Sequence, residues 1–546
     1  MKNSVRGLFA AILLVLTVLN NAQAQGEKQD STDFPPKEWS LMDPGDNVQG
    51  ISVEKAYSIL KNKRSETVVV AVIDSGVDID HEDLQGKIWI NEGEIEGNGI
   101  DDDKNGYVDD RYGWNFIGGK TGNVEQDTYE LTRIYVNLKE KYGDMDASKV
   151  KKKNKAEYEY WLKVKADFEE THDKANQQYV FYSTLQKNIV RFNNLLKAYL
   201  DVEKLSMDDL RAIDSEDSTI LAARNIIGII FQNVGEDADF EAISEELEGA
   251  VEHFGNQVNY AFNTEFDPRS VIGDNYANPY ERGYGNNDVK GHDPSHGTHV
   301  AGIIAANRDN ELGIQGIADN VKIMVVRAVP DGDERDKDVA NAIIYAVDNG
   351  ARIINMSFGK SYSPQKEAVD KAVKYAESKG VLLIHAAGNS SKNTDNSDNF
   401  PNKIYGDTKT TASNWLEIGA SSWGTNEQFV GSFSNYGKNT VDVFAPGVNI
   451  YSTTPDNTYQ SFNGTSMAAP ATAGVAALLM SYYPELTAFQ VRDIIVKSSR
   501  KFDALQVLKP GKEELVDFKD LSISGGLINA YEAVKMAESM TIKKEN

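Results

Sequence analysis

Short apolar runs that alternate with amphipathic stretches constrain this chain more than any other feature. Val68–Ile73, Ile323–Val329, Ile353–Asn355, Val381–His385 and Leu416–Ala420 are rich in valine, isoleucine and leucine and show little polar alternation. A strand patterned in this way has to be covered on both faces. Between several of these runs apolar residues recur at helical spacing, as in Val339–Asn349 and Lys366–Lys379, and Gly380 stops the latter. Strand, helix and strand in succession predict an α/β fold, with a mainly parallel sheet sandwiched in a three-layer αβα arrangement.

One stretch breaks this rhythm. Residues 119–264 are highly charged, rich in tyrosine and poor in proline. Within it Leu185, Ile189, Phe192, Leu196 and Tyr199 follow one another at intervals of four, three, four and three, a helical seam, and Ser206 with Asp209 reads as a capping box. The stretch is expected to be an all-α insertion; either its apolar stripes are simply its own core, or, leaving and re-entering the α/β part near its cleft, it gates or guides a substrate. At the N-terminus Lys2 and Arg6, the apolar run from Leu8 to Leu19 and Ala22-Gln23-Ala24 read as a signal peptide. The run is too short for a spanning helix, which needs about 20 apolar residues. The expected organisation is a signal peptide over 1–24, a lead-in over 25–65, one α/β domain split into 66–118 and 265–540, and the helical insertion over 119–264.

Polar residues stand where the apolar elements begin or end. The runs are VVVAVIDSG around Asp74, HGTHVAG from His296 to Gly302, HAAGN ending in Asn389, and NGTSMAAP around Ser466. Singly these are ordinary caps and turns. Together they hold what a serine nucleophile requires: an imidazole to take its proton and a carboxylate to orient that imidazole. Spacing does not choose between His296 and His299, and the remaining histidines read as incidental. An α/β-hydrolase esterase would need Gly-x-Ser-x-Gly and the order Ser, acid, His; Gly464-Thr465-Ser466-Met467-Ala468 lacks the last glycine and the order here is reversed. Intact motifs argue against a degenerate enzyme kept as a binding scaffold.

A second chemistry lies in IDDDKNGYVDD. Asp101, Asp103, Asn105 and Asp109 offer oxygen ligands, Gly106 permits the bend and Tyr107 offers its carbonyl, as a loop does around a hard cation such as calcium. Tyr112 stands where an EF-hand has its closing glutamate, which leaves Asp110 to complete the set.

With its Asp, His and Ser motifs in this order, the chain resembles the subtilisin-like serine peptidases, the subtilases, over residues 66–118 and 266–535. The resemblance implies a subtilisin-like sheet and hydrolysis of peptide bonds through an acyl-enzyme intermediate. It implies Asp74 as the orienting carboxylate, His296 as the general base and Ser466 as the nucleophile. It further implies that Asn389 and the Ser466 amide bind the oxyanion. Substrate would lie extended against Ser357, Phe358 and Gly359 and the loop following Val329, with Ala386, Ala387 and Gly388 lining the main specificity pocket. Asp331, Asp333 and Glu334 of that loop either favour a basic residue near the cleaved bond or face water. Asp83 and Asn310 match side-chain ligands of a subtilase calcium site, completed by the carbonyls of Arg308, Leu312 and Ile314. Only about 50 residues separate Ala24 from Asp74, too few for the inhibitory propeptide many secreted members carry. Ala471 stands where the family usually has histidine.

A net charge of −26 disfavours nucleic acid and anionic lipid as partners and suits divalent cations. With no cysteine, stability has to come from packing and bound metal. The expected product is an exported monomer, periplasmic or extracellular, that acts on proteins or peptides, uses structural calcium and has no membrane insertion after signal cleavage.

Overall fold

The computed structural model describes residues 35–234 and 240–545; the signal peptide expected over 1–24 lies outside them. Of the described residues, 35–130 and 266–545 form one compact unit and those within 131–265 another.

The larger unit is built on nine strands: β1 (Val68–Asp74), β2 (Gly113–Asn115), β3 (Val321–Arg327), β4 (Ile353–Met356), β5 (Leu382–Ala386), β6 (Trp415–Ser421), β7 (Val443–Pro446), β8 (Arg500–Lys501) and β9 (Gly526–Leu527). Their spatial order is β8-β9-β7-β6-β5-β4-β1-β3-β2. Neighbours run parallel except the edge pair β8–β9. The period of two explains why the runs are apolar throughout. Val70 and Val72 pack into one core, together with α1 (Ser295–Ala305), whereas Ala71 and Ile73 pack into another with α2 (Asp336–Asp348) and α3 (Lys366–Ser378). Gly380 ends α3 at φ +72°, a left-handed conformation that glycine adopts without penalty.

Helix α4 (Thr465–Tyr482) is buried almost all round. Its alanines and its one glycine let neighbours approach closely: a Cβ on Gly474 would stand 2.6 Å from the Ile317 Cβ. In this unit the strand ends gather the polar motifs, because β1, β3, β4 and β5 run the same way and their C-terminal ends share one edge.

The smaller unit is helical, with helices at Lys155–Leu200, Ser218–Val234 and Phe240–Asn256. Leu185, Ile189, Phe192 and Leu196 line a core shared with Ile220, Ile227 and Phe231. Tyr199 leaves the seam; it is exposed and its hydroxyl reaches the Asp214 carbonyl. Ser206 and Asp209 make the reciprocal bonds of a capping box.

Candidate active site

Strand β1 ends on Asp74, whose carboxyl is buried. Its Oδ1 accepts the Ser75 N–H at 2.8 Å and lies 2.7 Å from His296 Nδ1. His296 is the second residue of α1, and the neighbouring Gly297 permits the approach, since a Cβ there would fall 2.0 Å from the Gly76 carbonyl oxygen. The imidazole is 38% exposed. Burial pulls its pKa down, but the charge of Asp74 and their hydrogen bond outweigh that and raise it above the ordinary 6.5.

His299 faces elsewhere. Its Nε2–H is shared between the carbonyls of Ile450 at 2.9 Å and Gln460 at 3.1 Å, in the hairpin Ile450–Thr454/Thr458–Phe462, and its ring stacks on Phe462. Burial pushes its pKa down to about 3, so the ring stays neutral. Of the two histidines in HGTHVAG, only His296 meets Asp74.

Ser466 stands in the first turn of α4, where backbone N–H groups lack intrahelical acceptors. Its Oγ donates to the Ser357 carbonyl at 3.2 Å, and no hydrogen bond joins it to His296. Ser357 Oγ in turn donates to the Ser466 carbonyl at 2.9 Å. That carbonyl is free because the residue four positions on is Pro470, which has no N–H to close the helical bond. The proline of NGTSMAAP thus exposes the acceptor that ties Ser357 to the helix.

Asn389 follows β5 through Gly388, which takes φ +98°. The Asn389 Oδ1 accepts both the N–H and the hydroxyl of Thr465 at 2.9 Å, which assigns the oxygen and leaves Nδ2 as the free donor end. Thr465 Oγ1 also accepts the Gly388 N–H at 3.0 Å. Ala386 and Ala387 are buried, and the Ala387 carbonyl accepts from Asn435 and Asn399.

Phe358 and Gly359 continue from β4 beyond its last ladder residue. The Phe358 carbonyl lies 2.8 Å from His385 Nε2, while His385 Nδ1 lies 3.0 Å from Glu417. His385 is fully buried. It opens the run HAAGN, of which only Asn389 carries an expected role; its own signal is a histidine at the end of an otherwise apolar strand.

The acidic loop after Val329 divides. Asp331 is exposed, Asp333 accepts the Glu130 N–H at 2.8 Å, and Glu334 is 2% exposed. Burial pushes the Glu334 carboxyl up to about 8. Lys360, also buried, joins Glu130 and Asp336 and donates to the Glu334 carbonyl at 2.6 Å.

The acidic loop near residue 100 holds a carboxylate oxygen from each of Glu94, Asp101 and Asp103 within 4.8 Å of the others. Glu94, which no loop spacing includes, is buried and accepts the N–H groups of Asp102, Asp103 and Asp109. Both oxygens of Asp109 accept amides of Asn98 and Gly99, and Asn105 Oδ1 accepts the Tyr107 N–H. Asp110 turns to Asn91, Asn105 and Tyr345, and burial raises its pKa to about 6. Converging hard oxygens fit a calcium-type cation at Glu94, Asp101 and Asp103 better than at Asp109. At the other location Asn310 Nδ2 donates to Asp83 Oδ1 at 2.8 Å. Asp83 is fully buried, its other oxygen accepts the Ile314 N–H and the Tyr459 hydroxyl, and among the described residues it forms no ion pair. A buried carboxylate lacking a cationic side chain also fits a cation.

The subtilase family model matches residues 65–519. Subtilisin DY from Bacillus licheniformis is 42% identical over 202 residues, 36% of this chain and 68% of its own length. A thermophilic serine proteinase from Bacillus sp. (strain AK1) is 44% identical over 190 residues, 34% of this chain and 43% of its own. Thermitase from Thermoactinomyces vulgaris is 42% identical over 187 residues, 34% of this chain and 61% of its own. With all but its terminal segments inside the family match, this chain belongs to the subtilase family of serine endopeptidases.

Proposed function

We propose that the chain is an exported endopeptidase that cleaves peptide bonds in two steps through a covalent acyl-enzyme. Ser466 Oγ attacks the scissile carbonyl, and His296 takes the hydroxyl proton and passes it to the leaving amine. Asp74 holds the imidazole by Nδ1 and stabilises the cation that forms. Asn389 Nδ2 and the Ser466 N–H donate to the oxyanion; such a donor contributes on the order of 100- to 1,000-fold, a magnitude established in a subtilisin. Water then attacks the acyl carbon, with His296 as base again. An extended substrate pairs with Ser357–Gly359 and the loop after Val329, and a side chain enters beside Ala386, Ala387 and Gly388.

The observation that carries this reading is the 2.7 Å contact between Asp74 and His296; it is taken together with a serine in the first turn of a buried helix. A fluorophosphonate should label wild-type protein and not Ser466→Ala. An unlabelled wild type would overturn the mechanism.

The N-terminal pattern supports export, and no helix among the described residues is long and apolar enough to cross a membrane. Calcium is the cofactor proposed, held by Glu94, Asp101 and Asp103 and, separately, by Asp83 and Asn310. There it supplies structural charge neutralisation and takes no part in the bond cleavage. The proposed organisation keeps the helical unit as an insertion in a single peptidase domain that acts as a monomer on proteins.

A further inference from the structure

We infer that His385, with Glu417 behind it, is a positioning residue that sets the substrate-pairing edge Ser357–Gly359 from beneath; this rests on the peptidase reading above. His385 of β5 lies opposite Met356 of β4 on one side and Glu417 of β6 on the other. Parallel neighbours in register point to the same face, so the imidazole and the carboxylate meet on the side covered by α2 and α3, away from Ser466.

Strand β4 leaves the ladder after Met356, and its continuation must still satisfy its backbone groups. The Phe358 carbonyl turns into the protein, where the Ala387 N–H is already spent on the Ile418 carbonyl. His385 Nε2 supplies the missing donor at 2.8 Å. A carbonyl only accepts, so Nε2 carries a proton. The other ring nitrogen, Nδ1, stands 3.0 and 3.1 Å from the two Glu417 oxygens, so one further proton lies between them. Trp415 Nε1 donates to the same carboxylate at 2.8 Å. The Glu417 N–H donates to Asp442, itself paired with Lys403 and Arg492, which fixes the backbone from which the carboxylate projects.

The consequence is geometric. With the Phe358 carbonyl held inward, the peptide groups on either side of it alternate outward, as in any extended segment. Ser357 is then fixed at both ends, by His385 through the next residue and by Ser466 through its hydroxyl and carbonyl. A substrate strand can pair with that edge without first ordering it, and the gain belongs to binding of extended substrates, not to the reactivity of Ser466.

Two substitutions separate this role from mere filling of the core. In His385→Gln the side-chain amide nitrogen stands in for Nε2 and keeps the Phe358 donor. In His385→Asn the amide replaces Nδ1 only, facing Glu417 and leaving the carbonyl unpaired. The readouts are the labelling rate of Ser466 by a small fluorophosphonate and the KM and kcat for a peptide of about six residues. We expect both variants to label at close to the wild-type rate, which shows them folded. KM should rise about tenfold or more in His385→Asn and stay within about threefold in His385→Gln. Equal KM in the two variants, or labelling that falls as far as peptide cleavage, overturns the inference. An unlabelled wild type instead defeats the peptidase reading on which it rests.

Discussion

Replacing Gly297 by alanine tests how the Asp74–His296 contact is made. In the structure a Cβ at 297 would lie 2.0 Å from the Gly76 carbonyl oxygen and 3.2 Å from the Asp74 Cβ. Both neighbours belong to the end of β1 and its loop, so no flexible side-chain tip can move aside. Ordinary contact begins near 3.4 Å, and helix and loop must therefore separate by about 1.4 Å, the overpacking of a single methyl. The His296–Asp74 hydrogen bond of 2.7 Å then opens beyond the roughly 3.2 Å at which such bonds hold. A misplacement of about 1 Å in a catalytic group costs on the order of 100-fold in rate, and full loss of the aspartate's orienting role about 10,000-fold in triads of this kind. The labelling rate of Ser466 should fall within that interval, while overpacking lowers stability by about 1–3 kcal/mol. The pH profile supplies a second sign. Asp74 raises the pKa of His296 against the pull of burial, and the free base is the active form, so with Asp74 withdrawn the acid limb moves to lower pH. Gly249→Ala is the control, since its added carbon meets nothing within 4 Å. Wild-type labelling with an unmoved acid limb in Gly297→Ala would refute the claim that this close approach builds the site.

Two further perturbations address what surrounds the site. The folded pKa of His299 lies near 3, below the ordinary 6.5, so between those values the unfolded chain binds the extra proton; its stabilising contribution is complete above pH 6.5 and declines as pH falls towards 3, by roughly 4–5 kcal/mol in all. His299→Gln retains a donor for Ile450 and Gln460 but does not titrate, so urea midpoints of the two proteins should diverge below pH 6.5; parallel curves would show that burial of this ring does not govern the acid limb of stability. For calcium, a chelator should lower the thermal midpoint of the wild type and added Ca2+ restore it, with Glu94→Gln needing more Ca2+ for the same recovery. A midpoint indifferent to both would remove calcium from the account.

The strands were readable because burial on both faces writes an unbroken apolar run, and Val68–Ile73 needed nothing else. The choice between His296 and His299 was not readable, since both stand in the first two turns of one helix. What separates them is the hairpin Ile450–Phe462, about 150 positions downstream, whose carbonyls claim His299. Glu94 escaped for a related reason: it reaches Asp101 and Asp103 through the path of the loop and the amides it caps, and no ligand spacing encodes that path. His385 looked incidental because one strand carries no register. Once Leu383 and His385 are known to share a face with Trp415 and Glu417, a polar pair inside that layer has to be hydrogen-bonded, and the remaining ring nitrogen finds its partner in the Phe358 carbonyl.

Pro470 shows how a residue can be plain in a sequence while its reason is not. In a buried helix it removes one backbone bond and leaves the Ser466 carbonyl without its helical partner. An unpaired carbonyl in such a place costs roughly 1–3 kcal/mol, and a chain with alanine there would avoid that cost. The structure turns the deficit into a tether, because the freed carbonyl accepts the Ser357 hydroxyl at 2.9 Å while Ser466 Oγ donates back to the Ser357 carbonyl at 3.2 Å. The serine and the segment proposed to hold its substrate are therefore spaced by two reciprocal bonds. From the opposite face His385 fixes the next peptide group of the same segment. A substrate edge held by a helix on one face and by His385 of β5 on the other needs little ordering when peptide arrives, and that preorganisation is the physical use of a proline four residues after the serine.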